Sequence, residues 1–167
     1  MIRPETSADI EAIREVNRLA FGGGEEADLV DRLRAERDVM ASLVAEDDGA
    51  VIGHILFSTL RIEGPAVRVN AAALAPMCVR PEWQGEGIGT ALVERGLERC
   101  RERGMEAVIV LGHPEFYPRF GFRADLAAGL QAPFSGDAFM ALELKPRSLD
   151  LSHARVHYAR AFGLESE

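Results

Sequence analysis

The sequence is short of cysteine, lysine and tryptophan: Cys78 and Cys100, Lys145 and Trp83 are all it has of these in 167 residues. Two cysteines are too few for a disulfide framework or a four-cysteine zinc site, and each reads as a buried reduced thiol. No window approaches the ~18 to 20 apolar residues needed to span a bilayer. The opening MIRPETSADIEAI has no basic segment followed by an apolar run, so the expected location is the cytoplasm and no membrane partner is expected. Basic charge is scarce too. With 19 Lys and Arg against 27 Asp and Glu, the formal net charge is -8, whereas a nucleic-acid partner calls for clustered cations that displace counterions from phosphates.

What remains has the make-up of one ordinary globular domain over residues 1–167. Hydrophobic residues are 47% and charged residues 28%, with no repeat or low-complexity linker, and 18.2 kDa of chain can bury a core without staples. The charge is uneven: residues 1–50 hold 13 acids and 6 bases, residues 51–167 hold 14 and 13. Most of these acids solvate a surface, and whatever borders the first third feels a negative field that favours a cationic or neutral ligand.

Periodicity orders the chain. MIRPE is β-prone. Ile10, Ile13, Val16, Leu19 and Ala20 then fall at helical spacing behind a Thr6 or Ser7 cap, and Gly22, Gly23 and Gly24 end that helix. Leu29, Val30 and Leu33 stripe a second helix. ASLVAEDDGAVIGHILFSTLRI reads as a hairpin turning at Asp47, Asp48 and Gly49, and VNAAALAPMCV as a third strand. A helix follows with Ile88, Leu92, Val93, Leu97 and Cys100 on one face, stopping at Gly104. EAVIVLG is a short continuous apolar run, the pattern of a central parallel strand buried on both faces. DAFMALEL is a further strand, and HARVHYARAF is open between strand and helix.

The chemistry-bearing stretch is PEWQGEGIGT, with glycines at alternate positions 85, 87 and 89 before a helix. A P-loop would need Lys then Ser or Thr after its last glycine, and here Thr90 and Ala91 follow. A dinucleotide loop would need glycine where Thr90 stands. A third arrangement fits: a strand, a turn, and a helix whose unpaired N–H groups face a pyrophosphate.

Gln84, Gly87 and Gly89 match the Gln-x-x-Gly-x-Gly motif of acyl-coenzyme A binding, and the chain resembles the GNAT family of N-acetyltransferases. Val79, Arg80 and Pro81 match the strand end before that loop, and Tyr117, Gly121 and Phe122 match the tyrosine and Gly-Phe pair after the next strand. The resemblance is clearest over residues 1–145 and points to a bacterial branch in which elements like YPRFGF and DAFMALEL recur. It implies an α/β fold with a mixed central sheet, splayed at the acyl-coenzyme A site and flanked by helices.

It also implies a reaction, transfer of acetyl from acetyl-coenzyme A directly to a primary amine, small molecule or peptide, with no metal. Backbone groups of Met77, Cys78 and Val79 would then meet the pantetheine and thioester, an N–H near Cys78 serving as oxyanion donor. The amides of Gly85, Glu86, Gly87, Ile88, Gly89 and Thr90 would wrap the pyrophosphate. Tyr117 matches the proton donor to the departing thiolate; as a bare tyrosine it reads equally as core with its hydroxyl satisfied.

The general base stays open. The two strands flanking the cleft offer no carboxylate after Glu106. His113 is best by position, just past a central strand; His54 within a strand and Glu25 at the start of the second helix follow, beside a relay through water. Cys78 lacks the company of a nucleophile, and His153 with His157 would share a face only on a helix. Another acyl donor, an oxygen acceptor, a sensor that binds acyl-coenzyme A without turnover, and a homodimer are all compatible with the resemblance.

Overall fold

The computed structural model describes residues 1–164. The elements, in chain order, are β1 (Ile2–Pro4), α1 (Ile10–Phe21), α2 (Glu25–Ala35), β2 (Val39–Asp47), β3 (Ala50–Glu63), β4 (Arg68–Val79), α3 (Ile88–Glu102), β5 (Ala107–Leu111), α4 (Ala124–Ala128), β6 (Phe139–Glu143) and β7 (Arg155–Tyr158). The fold is mixed α/β, with a seven-stranded sheet in the order β1-β2-β3-β4-β5-β6 and β7 beside β3.

Local chemistry explains most boundaries. α1 is entered through a single 3-10 turn, Ser7–Asp9, because the Asp9 carboxylate turns back to accept the Thr6 backbone N–H at 2.7 Å. Arg3 holds the same carboxylate from both guanidinium ends, at 2.8 and 2.9 Å, and keeps it well below the usual carboxylate range. The β2–β3 hairpin turns at Asp48 and Gly49, both with positive φ (49° and 81°), as the Asp-Asp-Gly sequence predicts.

Strand pairing settles two readings. β5 is parallel to β4, as its apolar run predicts, and antiparallel to its other neighbour β6, so it is central in a mixed sheet. HARVHYARAF resolves as a strand: β7 pairs antiparallel with the far half of β3, Leu60 opposite Tyr158 and Glu63 opposite Arg155. His153 precedes that strand and His157 lies within it, so they share no helix face, and no metal-holding cluster of three His, Cys, Asp or Glu exists among the described residues.

The chain forms two compact units, Met1–Phe57 with Ala75–Arg99, and Ser58–Leu74 with the chain from Cys100 onward. In the first, Ile13, Val16, Val30, Leu33, Ile55, Leu56, Leu92 and Val93 are buried, and Arg14 of α1 pairs with Asp28 and Asp31 of α2. In the second, Leu60, Ile62, Ile109, Phe139, Leu149 and Val156 belong to one buried cluster. The β4–β5 ladder runs from Ala71–Ala107 to Leu74–Val110 and ends there, while β4 continues to Val79. No helix among the described residues is long and apolar enough to cross a membrane.

Candidate active site

The first unit carries the glycine loop. After β4, Arg80 donates its N–H to Ile52 of β3 at 2.8 Å, and Trp83 closes a turn onto the Arg80 carbonyl at 2.8 Å. The Gln84 side chain then reaches back to the Val79 carbonyl at 3.0 Å. Gly85 and Gly87 sit at φ 82° and 83°, a left-handed region that other residues enter at a cost. A Cβ at either would meet nothing within 4 Å, so the space beside the loop is open. The first helical bond of α3 is from Ala91 to the Gly87 carbonyl at 3.1 Å. From Gly85 to Thr90, no backbone N–H has an acceptor among the described residues. Consecutive unpaired donors at the positive end of a 15-residue helix are an arrangement of the kind that suits an anion.

Beside it, Met77 is half-buried and Cys78 and Val79 are buried. A Cβ at Gly53 on β3 would lie 3.2 Å from the Cys78 carbonyl oxygen and 3.1 Å from Leu92 Cδ1, so glycine at 53 lets β3 come close under this strand end. Burial pushes the Cys78 thiol up to about 12; the His54 backbone N–H acts against that, and the charge of Glu26 adds to it. Burial thereby keeps the thiol in its protonated form.

His54 is fully buried and both ring nitrogens are engaged. The Asn17 amide donates one hydrogen to the Ile13 carbonyl at 2.9 Å and faces His54 Nδ1 with the other at 3.2 Å. Nδ1 is thereby an acceptor, and Nε2 carries the proton toward Ser42 Oγ at 2.9 Å. Ser42 passes its own hydrogen to Glu5, whose carboxylate is clamped by Arg34 at 3.1 and 3.2 Å. Burial first, and the Arg34 charge second, push the His54 ring down to about 3. A sealed ring with both nitrogens in use is not placed to deprotonate a substrate, which removes His54 from the candidate bases.

The helix that supplied Glu25 offers its neighbour instead. Glu25 is exposed, whereas Glu26 is half-buried. Glu26 has no ion pair or hydrogen bond among the described residues, and its negative charge reaches the Cys78 thiol. The sequence pattern concealed this, because adjacent glutamates in a first helical turn look alike until the buried stripe of Ala27, Val30 and Leu33 sets the helix's rotation.

The second unit carries Tyr117 and His113. Tyr117 opens a 3-10 turn, Tyr117–Phe120, and its ring is 5% exposed, meeting Phe116 and Phe122 edge-on with centroids 5.0 and 5.7 Å away. Desolvation pushes the phenol up to about 12. Its hydroxyl forms no hydrogen bond among the described residues and is not sealed from solvent, unlike a hydroxyl satisfied within a core. The His113 ring is exposed, and its backbone carbonyl accepts the N–H groups of Phe116 and Tyr117 at 3.0 and 3.2 Å.

Comparison with known proteins identifies the family. A family model, the acetyltransferase (GNAT) domain, matches residues 1–124. The uncharacterised N-acetyltransferase YhbS of Escherichia coli is 33% identical over 165 residues, 97% of this chain and 98% of that protein. YjhQ, also from Escherichia coli and also named an uncharacterised N-acetyltransferase, is 42% identical over 117 residues, spanning 69% of this chain and 65% of its own length. Among solved structures, YhbS in complex with coenzyme A superposes with a TM-score of 0.87 at 32% identity, covering 98% of this chain and 91% of that one. A GNAT acetyltransferase of Brucella melitensis in complex with acetyl-coenzyme A gives 0.80 at 37% identity, with 97% of each chain covered.

Proposed function

The chain belongs to the GNAT family of acetyltransferases, and on that premise we propose that it transfers acetyl from acetyl-coenzyme A directly to a primary amine, without a covalent enzyme intermediate. The observation that carries the proposal is the run of unpaired N–H groups from Gly85 to Thr90 at the start of α3, supported by structural relatives that hold coenzyme A or acetyl-coenzyme A. In this reading those groups and the helix dipole bind the pyrophosphate, Gln84 ties the loop to the strand end, and backbone groups of Met77, Cys78 and Val79 align the thioester.

The amine nitrogen attacks the thioester carbon, the carbonyl oxygen takes up charge toward a backbone N–H near Cys78, and the carbon–sulfur bond then breaks. The ammonium proton goes to Glu26, the half-buried carboxylate without a counter-ion, with His113 as the rival base. Tyr117 is assigned as the partner of the departing sulfur by the family motif it matches. With its phenol raised to about 12 it is fully protonated at neutral pH. Against a thiol of about 8.5, outright proton loss from it is uphill. It therefore stabilises the thiolate as a hydrogen-bond donor, and the thiolate's proton follows from solvent.

The test is calorimetry with acetyl-coenzyme A, followed by thiol release against a panel of amines. Gly87→Val should abolish binding in a folded protein, since its Cβ would project into the open space beside the cradle and its φ of 83° disfavours a branched side chain. Unchanged affinity would remove the phosphate assignment. Binding without thiol release from any amine would leave a sensor rather than an enzyme.

A further inference from the structure

Gly112, the residue after β5, presents a bare α-carbon to the Tyr117 ring. A Cβ built there would lie 2.3 Å from the ring's Cε2, 2.8 Å from Cδ2 and 3.4 Å from Cζ. The backbone at Gly112 is not in the left-handed region that Gly104 and Gly121 occupy, so any residue could adopt its conformation, and what demands glycine is the ring above it.

Neither partner is free to step aside. The Gly112 N–H donates to the Ala138 carbonyl at 2.9 Å, and the preceding Leu111 is paired with Phe139 in the β5–β6 ladder. On the other side, the Tyr117 N–H is tied to His113 at 3.2 Å, and its ring is bounded by Phe116 and by Phe122, itself 1% exposed.

We infer that Gly112 is a positioning residue for Tyr117: its missing side chain is the seat of the phenol ring, and that seat determines where the hydroxyl is held. The inference rests on the reading of Tyr117 as the donor to the leaving sulfur. Adding one methyl group has to move ring carbons from 2.3 Å to the ~3.5 Å of an ordinary carbon contact. The ring is thus displaced by about 1 Å, a misplacement that at a reacting centre can lower a rate by ~10²-fold.

The experiment is a pair of double-mutant cycles on the full chain. In the kinetic cycle, acetyl-coenzyme A is used with whichever panel amine gives the fastest thiol release. Gly112→Ala should lower kcat by ~10²-fold while the KM for acetyl-coenzyme A stays within about twofold. Adding Gly112→Ala to Tyr117→Phe should lower kcat no further, because the hydroxyl it would misplace is already gone. A further loss as large as in the wild-type background overturns the proposal, and so does a Gly112→Ala kcat near wild type when Tyr117→Phe is impaired. The stability cycle needs no acceptor. Gly112→Ala should lower Tm in the wild-type background and leave it nearly unchanged beside Tyr117→Ala, where no ring is left to collide; equal losses in both overturn the seat. An unimpaired Tyr117→Phe is the distinct failure: the donor reading falls and the positioning role falls with it.

Discussion

Gln84 donates from Nε2 to the carbonyl of Val79 at 3.0 Å, fastening the glycine loop to the last residue of β4. The bond spans five residues of chain and joins the part of the first unit that would hold the thioester to the part that would hold the pyrophosphate. Gln84→Ala should weaken acetyl-coenzyme A binding by about tenfold, the order of one partly buried hydrogen bond. Gln84→Glu should weaken it more, since a carboxylate oxygen would face both a carbonyl oxygen and an anionic ligand. Calorimetry on the two variants reads this directly, and wild-type affinity in Gln84→Ala would mean that the turn holds itself without the side chain.

Tyr117→Phe keeps the ring against Phe116 and Phe122 and removes only the hydroxyl. Loss of one donor to a developing anion lowers kcat by ~10² to 10³-fold in comparable sites, with acetyl-coenzyme A affinity little changed. The pH profile carries a second expectation. A phenol raised to about 12 is still protonated well above its ordinary value of about 10, so no alkaline fall in kcat should arise from Tyr117 below about pH 10. A kcat within about twofold of wild type would return Tyr117 to a packing role.

Glu26→Gln preserves size and polarity and removes the carboxylate. If Glu26 takes the amine's proton, kcat should fall by ~10² to 10⁴-fold and recover as the pH is raised, because more of the amine then arrives already neutral. His113→Gln should stay near wild type in the same assay. The opposite pattern would transfer the role to His113.

His54 makes stability depend on pH in a defined direction. Its ring is pushed down to about 3 in the folded state, against about 6.5 for an ordinary histidine. The stabilisation from keeping it neutral is complete above about pH 6.5. It is lost as the pH falls toward 3, because the unfolded chain takes up a proton that the folded one refuses. The slope from this one group is at most about 1.4 kcal/mol per pH unit. Denaturation in urea at pH 7.5 and pH 5 should show a drop of up to about 2 kcal/mol that His54→Gln lacks. Asp9, held below the usual carboxylate range by Arg3, adds a separate loss below about pH 4. Equal pH dependence in wild type and His54→Gln would mean that the ring charges within the folded state.

Much of the fold was legible because its signals are local. Alternating or continuous apolar runs mark β2 to β6, a helical stripe marks α1, α2 and α3, and Asp48-Gly49 marks the hairpin turn. Each depends on residues within a few positions of one another. The motif residues Gln84, Gly87 and Gly89 were legible for the same reason: a cradle of unpaired N–H groups is made by one turn and one helix start.

What the sequence by itself determined, then, is the order of elements, the glycine turn at residues 84–90 and the family resemblance, all carried by short-range backbone chemistry. Only the tertiary structure decided the rest. The pairing of β7 with β3 joins residues 60–63 to 155–158, a match that no local pattern specifies. β5 runs parallel to β4, as its apolar run predicts, but strand direction is a property of two strands, and its other neighbour, β6, is antiparallel. The exclusion of His54 came from Asn17 and Ser42 closing over both ring nitrogens, and the preference for Glu26 over Glu25 from how α2 is rotated onto its buried side. Gly112 reads in sequence as a strand terminator; it becomes a seat only when a ring five residues later folds back onto it. The physical reason is common to all five: burial, partner and distance are set by long-range packing, and one chain segment does not contain the other half of the contact.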